Sequence, residues 1–354
     1  MSDIVISGKG FPVSSVHFRS SIADFPAFVS GKGPLFIVYD LNASSYAEAV
    51  ASAVSPVSVL GISVSEDTKT IETVSGICSW LLEKGADRNA VLVAVGGGIL
   101  TDMAGFAAAI YKRGIEVAYV PTTLLAQVDA SVGGKTGVNF QSYKNILGVI
   151  RQPLFTFICP EVLTSLPYSH ILEGAAEMIK TFIIKDGGNY RRAVSFFSRL
   201  AESGDRQAAL KAGAETLGSL VRAAVSVKAE IVSADQFENG VRRKLNLGHT
   251  FAHAIEWRSH SISHGQAVSV GIVCAARLSA ALGLCPGDLP DMLAGDLGRC
   301  GLETALPFRL ADLHDAMLKD KKAEDGSVRF VLIRGIGDTD VVSLTVDEAL
   351  AALS

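Results

Sequence analysis

Paired cysteines are missing from this 354-residue chain. Its five, Cys78, Cys159, Cys274, Cys285 and Cys300, are odd in number, dispersed and never spaced C-x-x-C. That excludes a disulfide framework and leads us to expect reduced thiols in a cytoplasmic enzyme. Charge is also scarce: Lys, Arg, Asp and Glu make up 19% of the residues, 32 basic against 36 acidic, for a net charge of -4. With no clustered Lys and Arg to neutralise phosphates, nucleic acid is excluded as a partner. The opening "MSDIVISGKGFPVSS" has no basic region followed by an apolar core, so no secretory leader is expected. The longest apolar stretch, residues 267–285, contains Arg277 and several serines; it is expected as a buried core helix rather than a membrane span. Repeats and low-complexity linkers are absent too.

What is present is core. Hydrophobic residues account for 49% of the chain, and the length exceeds what one hydrophobic core usually supports, so two domains are expected, 1–158 and 159–354. In the first, short β-branched runs ("PLFIVYD", "SVLGISV", "AVLVAVGGG", "EVAYVPTT") alternate with helical patterns, which predicts a parallel sheet covered on both faces. In the second, Ala, Leu and charged residues recur at helical spacing and strand signals nearly vanish until "SVRFVLIRG".

Sheets of this kind bind ligands at the carboxyl ends of their strands. Asp40, Asn42, Glu66, Lys69, Gly96, Gly97, Gly98, Asp102, Thr122 and Thr123 all follow such ends. "GGGILTDMAGF" puts glycines at a helix start, where backbone N–H groups can approach a pyrophosphate, although it is not the G-x-G-x-x-G fingerprint. "VPTTLLAQVDASVGGKTGVNF", residues 120–140, crowds small and polar groups together. It lacks the upstream glycine of a Walker A loop, which makes a nucleotide-hydrolysing P-loop a poor reading. Lys135, Lys144, Asn145, Arg113 and Lys180 supply cations and donors that singly would read as solvated surface. "LNLGHTFAHAIE" sets His249 and His253 four residues apart on one helical face, and His264 follows in "SHGQAV". A metal then rates about even with satisfied core histidines. No glutamate follows the first histidine, so a zinc protease is not indicated. A carboxylate ligand could come from "EGAAEMIK", with Glu177 favoured and Glu173 read as an N-terminal helix charge.

Taken in order, "GGGILTDMAGFAAAIYKRG", "VPTTLLAQVDASVGGKTGVN", "YKNILG", "AEMIK", "KAEIVSADQFENGVRRKLNLGHTFAHAIE", "HGQAV" and "DKK" with "RFVL" resemble the successive motifs of 3-dehydroquinate synthases across essentially the whole chain. The resemblance implies an α/β N-terminal domain with a Rossmann-like parallel sheet that binds NAD, a mainly α-helical C-terminal domain carrying zinc or cobalt, and a homodimer. It implies conversion of 3-deoxy-D-arabino-heptulosonate 7-phosphate to 3-dehydroquinate and phosphate in the shikimate pathway. By motif, Glu177, His249 and His264 would ligate the metal, and His253 would face substrate. Lys135, Lys180, Lys228, Arg242, Asn246 and Lys322, preferred over Lys321, would hold the substrate, with Arg113 and Asn145 as further anion contacts and Asp129 and Glu238 orienting groups around them. Asp40, Asn42, Glu66, Lys69, Gly97, Gly98, Asp102, Thr122, Thr123, Lys135 and Lys144 would serve NAD. Ser165 stands near the cofactor where a threonine is commoner, and "MIKTFII" replaces an aromatic-glycine continuation. Related sugar-phosphate cyclases and metal-dependent alcohol or glycerol dehydrogenases are the alternatives. Lys135, Asn145, Arg242, Asn246 and His253 together favour a carboxylate-bearing substrate.

Overall fold

Continuous apolar runs become buried strands wherever helices cover both faces of a sheet. In the computed structural model, which describes residues 3–8, 10–141, 143–259, 262–318 and 327–353, the chain forms two compact units. The first comprises Met1–Leu166 with Lys228–Phe237, the second Pro167–Val227 with Glu238–Ser354. The expected division after residue 158 thus falls inside the first unit. There the 3-10 turn Pro160–Ser165 stays docked because the Tyr46 hydroxyl donates to the Val162 carbonyl at 3.2 Å and shares a 2.6 Å hydrogen bond with Ser165 Oγ.

The first unit contains β1 (Ile4–Gly8), β2 (Phe11–Phe18), β3 (Leu35–Asp40), β4 (Ser58–Ile62), β5 (Val91–Gly96), β6 (Glu116–Pro121), β7 (Lys135–Phe140), β8 (Tyr143–Ile150) and β9 (Phe155–Ile158). Seven of them make one sheet in the order β1-β2-β9-β6-β5-β3-β4, parallel except for the β1–β2 hairpin. Its helices are α1 (Pro26–Val29), α2 (Ser44–Val54), α3 (Ile71–Glu83) and α4 (Gly98–Ile110). Every residue of β5 is buried, and Phe36, Val38, Leu92 and Ala94 of the sheet pack with Val74, Ile77 and Leu81 of α3 and Met103 and Ala104 of α4. Each large aliphatic side chain buried here contributes about 1.5–3 kcal/mol. Asp40, Gly96 and Pro121 end neighbouring strands at the carboxyl edge.

Residues 120–140 are not one continuous loop. After a π-helical turn, Ala126–Ala130, the chain enters the antiparallel β7–β8 hairpin, so part of this polar stretch is strand. Its glycines serve the pairing as well as any ligand, since Gly137 lies opposite Gly148.

The second unit is mainly helical, with α5 (Tyr168–Lys185), α6 (Gly187–Glu202), α7 (Arg206–Ala212), α8 (Ala214–Ala234), α9 (His249–Arg258), α10 (His264–Ala281), α11 (Leu289–Arg299), α12 (His314–Leu318) and α13 (Val346–Leu353), plus the hairpin of β10 (Val328–Gly335) and β11 (Asp338–Leu344). The last turns of α8, from Lys228, group with the first unit. "NGVRRK", residues 239–244, holds much of a 3-10 helix, Val241–Asn246. α10 is buried along most of its length, as its apolar sequence predicts, and no described helix is long and apolar enough to cross a membrane.

Where α9 starts against α10, two glycines touch. Gly248 has φ +78°, and a Cβ on Gly271 would lie 2.1 Å from the Gly248 carbonyl oxygen. The contact is between backbones, so no side-chain rotation relieves it. Gly271→Ala should therefore cost about 1–3 kcal/mol of stability. Urea unfolding compared with wild type checks this, and an unchanged midpoint would contradict the close approach.

Candidate active site and metal centre

Glu177 lies in the middle of α5 with no exposure to solvent. Its Oε1 is 3.2 Å from Nε2 of His264, at the start of α10, and 3.6 Å from Nε2 of His249, at the start of α9. The three side chains each offer a donor atom, all within 4.8 Å of one another. His249 and His264 come from successive helix starts, while α5 supplies the carboxylate, so the cluster needs three elements packed together. The ring orientations are tied down from behind. Nδ1 of His249 is 3.2 Å from the Leu247 carbonyl, and Nδ1 of His264 is 3.3 Å from Oε1 of Glu256, itself buried on α9.

Lys180, one turn after Glu177 and also buried, forms an ion pair with Glu177 Oε2. Burial alone would raise the Glu177 carboxyl. The Lys180 ammonium and the hydrogen-bonded His264 outweigh it and hold the group down at about 2. Burial would likewise lower the His264 ring, but hydrogen bonds to Glu177 and Glu256 push it up to about 10. Glu173, weighed as an alternative ligand, is engaged elsewhere, since its Oε2 accepts the Gly265 N–H at 2.9 Å and so caps α10 from α5. His253 stands apart from the three-donor cluster. It is exposed, and its ring centre is 5.5 Å from that of His249. Arg242 is buried, and Asn246 Nδ2 donates to Oε1 of Glu238, a non-glycine residue held at φ +62°. A side chain in that region is strained and persists only where its surroundings fix it. Lys322 lies outside the described residues.

In the first unit the polar residues gather at the carboxyl rim of the sheet. Lys69, buried, donates to Asp102 Oδ2 at 2.7 Å and to Asn145 Oδ1 at 2.6 Å. Asp102 is therefore an ion-pair partner of Lys69; burial nevertheless raises its carboxyl. Glu66 accepts from Asn139 Nδ2 at 2.8 Å, and Asn139 Oδ1 takes the N–H of Asn145, whose φ is +52°. Lys228 is buried and donates to the Asp129 carbonyl at 2.7 Å and to its Oδ1 at 2.5 Å. Asp40 caps its own strand end, with Oδ1 accepting both N–H and Nδ2 of Asn42 at 3.0 and 3.1 Å. Gly97 and Gly98 open α4, and a Cβ on them would stand 3.1 Å from Thr123 Cγ2 and 2.9 Å from the Ala130 Cβ. Thr122, just after β6, is buried, whereas Lys135 and Lys144 are exposed on the hairpin.

Two expected site residues are placed elsewhere. Arg113 is exposed between the end of α4 and the start of β6, at the amino edge of the sheet, because the chain returns there before each parallel strand. This chain does not bring it to the carboxyl rim. Ser165 Oγ is engaged with Tyr46 and the Val162 carbonyl, which gives it a structural contact.

Models of the N-terminal and C-terminal parts of 3-dehydroquinate synthase match residues 59–173 and 174–323. A 3-dehydroquinate synthase of Cereibacter sphaeroides is 40% identical over 331 residues, covering 89% of this chain and 87% of the relative. Another, of Pelobacter propionicus, is 38% identical over 354 residues, covering 98% and 94%. The chain belongs to the 3-dehydroquinate synthase family. It is accordingly an enzyme that forms 3-dehydroquinate. A solved structure of 2-epi-5-epi-valiolone synthase from Streptomyces hygroscopicus, with NAD+ and Zn2+ bound, is similar in fold, with a TM-score of 0.85 at 28% identity over 96% of this chain and 95% of that one.

Two residues that this synthase places near the candidate site escaped the reading of its sequence. Glu256 follows His249 by seven residues, two helical turns, a spacing that could have identified it. Asn139 carries no comparable signal; only the hairpin register brings it beside Glu66 and Asn145.

The shifted groups make stability depend on pH. His264 is raised from 6.5 to about 10 on folding, so what it contributes without metal is fully present below about pH 6.5 and lost as pH climbs toward 10. Chelator-stripped protein should lose unfolding free energy across that alkaline window, and His264→Gln should lose less. Parallel profiles from denaturant titrations of the two would contradict the contacts assigned to His264.

Proposed function

We propose that this synthase converts 3-deoxy-D-arabino-heptulosonate 7-phosphate to 3-dehydroquinate and phosphate with NAD and a divalent metal, zinc or cobalt, as resident groups. The observation that carries the reading is the cluster of Glu177, His249 and His264 within a family member. One carboxylate and two imidazole nitrogens within 4.8 Å, with the carboxyl held ionised, suit a zinc or cobalt ion that leaves further positions for substrate oxygens. The glycine turn at the start of α4 suits a pyrophosphate, because added Cβ atoms would crowd Thr123 and Ala130. Asp40, Asn42, Glu66, Lys69, Asp102, Thr122, Thr123 and Lys144 complete the proposed NAD set. When bound, the metal lowers the pKa of substrate hydroxyls, and NAD takes up a hydride and returns it within one turnover.

The chain's own groups handle charge and protons. Loss of phosphate by β-elimination builds negative charge on the leaving oxygen, and buried Lys180, Lys228 and Arg242 are the preorganised cations proposed to meet anionic groups of the substrate. Lys135, Asn145 and Asn246 add donors, and Asp129 and Glu238 orient Lys228 and Asn246. His253, with an accessible ring, is proposed to relay a proton through a ring nitrogen. A homodimer in the cytoplasm is proposed with this activity.

Purified protein given the heptulosonate phosphate, zinc or cobalt, and NAD well below the substrate concentration should release phosphate in many-fold excess over NAD, with no steady rise in NADH absorbance. Stoichiometric NADH formation would support a dehydrogenase instead. Lys180→Ala should slow phosphate release by about a hundredfold or more, the scale of losing one charged donor to a buried anion, roughly 3 kcal/mol. Near-normal turnover would remove Lys180 from the reaction.

A further inference from the structure

Glu256 has no role in the chemistry above, yet it is a carboxylate buried on α9 with its Oε1 3.3 Å from Nδ1 of His264. The other nitrogen of that ring, Nε2, faces Glu177 Oε1 at 3.2 Å. A neutral imidazole carries one proton. Without metal both ring nitrogens face carboxylate oxygens; where a cation replaces the Nε2 proton the ring is neutral, Nδ1–H donates to Glu256, Nε2 presents its lone pair to the cluster, and the ring cannot turn without taking this hydrogen bond from a buried carboxylate. His249 is held in the same sense by the Leu247 carbonyl, an uncharged acceptor. His264 is the most exposed of the three candidate ligands, with 34% of its side chain accessible against 14% for His249 and none for Glu177. It is therefore the ring that packing orients least.

We propose that Glu256 is a positioning residue of the metal centre: it fixes the Nδ1–H tautomer and the orientation of His264, so that Nε2 is delivered to a divalent cation held with Glu177 and His249. The inference rests on the proposed triad. It also makes α9 a two-ended device, one ligand at its first residue and the support for a second ligand two turns on. A buried ion pair with no bearing on metal is the competing account, and the two differ in what a substitution disturbs.

The test uses chelator-stripped full-length protein and Co2+ as the probe, with wild type, Glu256→Ala, Glu256→Gln and His249→Ala compared. Co2+ affinity is read by competition with a chromophoric chelator, ligand geometry by the visible absorption of the bound ion, and fold by thermal unfolding with and without metal. Glu256→Ala should bind Co2+ about 10- to 100-fold more weakly, the usual effect of losing such a support. Its absorption bands should shift, and metal should raise its Tm less than that of wild type. Glu256→Gln, whose amide oxygen can still accept the Nδ1–H, should lose less affinity while showing a shifted spectrum. Wild-type affinity and spectrum in both variants, even with a lowered metal-free Tm, would overturn the proposal. Should Glu256→Ala not fold, Glu256→Gln decides alone, and identity with wild type in both readouts overturns it. Wild type that binds Co2+ no better than His249→Ala would instead sink the triad, and this inference with it.

Discussion

An ionised carboxylate with no access to water is the constraint around which the second unit is arranged. Taking such a group out of solvent costs several kcal/mol unless charge and hydrogen bonds are returned to it. Glu177 receives Lys180 from its own helix and the two histidines from the starts of α9 and α10. The remaining geometry follows from delivering those partners. α9 and α10 must begin close to α5, which requires the backbone contact between Gly248 and Gly271. The start of α10 must be held, which Glu173 does through the N–H of Gly265.

The first unit uses the same device with the signs exchanged. Lys69 and Lys228 are buried cations, and Asp102 and Asp129 are the less buried carboxylates that neutralise them. The outcomes differ in an informative way. Asp102 is raised, because burial together with the Asp129 charge outweighs Lys69 and Lys228, whereas Glu177 is lowered, because a lysine acts together with a hydrogen-bonded imidazole. One carboxylate is thus held well down, which suits the metal role proposed for it, and the other is raised.

Much of this was legible in the sequence for reasons that can be named. β3, β5 and β6 announced themselves because strands buried on both faces must be continuously apolar, and α10 because a helix buried nearly all round has no polar face. The order of the motifs pointed to the cluster of Glu177, His249 and His264, although spacing alone had pointed to His249 with His253, since four residues apart on a helix is the obvious pair. The register that brings His264 in and leaves His253 exposed depends on how α9 meets α10, a tertiary fact. The β7–β8 hairpin was hidden because Gly, Lys and Asn are weak strand formers. Arg113 was grouped with the other cations by chemistry alone. A parallel sheet sends the residues before a strand to the edge opposite those that follow it, and Arg113 comes before β6.

The account turns on whether Glu177, His249 and His264 share a metal while His253 does not. Elemental analysis after gel filtration of zinc-loaded protein measures it directly, applied to wild type and to Glu177→Gln, His249→Ala, His264→Ala and His253→Ala. Wild type and His253→Ala should each retain about one zinc per chain, and the other three should lose most of theirs. Full retention without His249, or equal loss in the His249 and His253 variants, would contradict the arrangement.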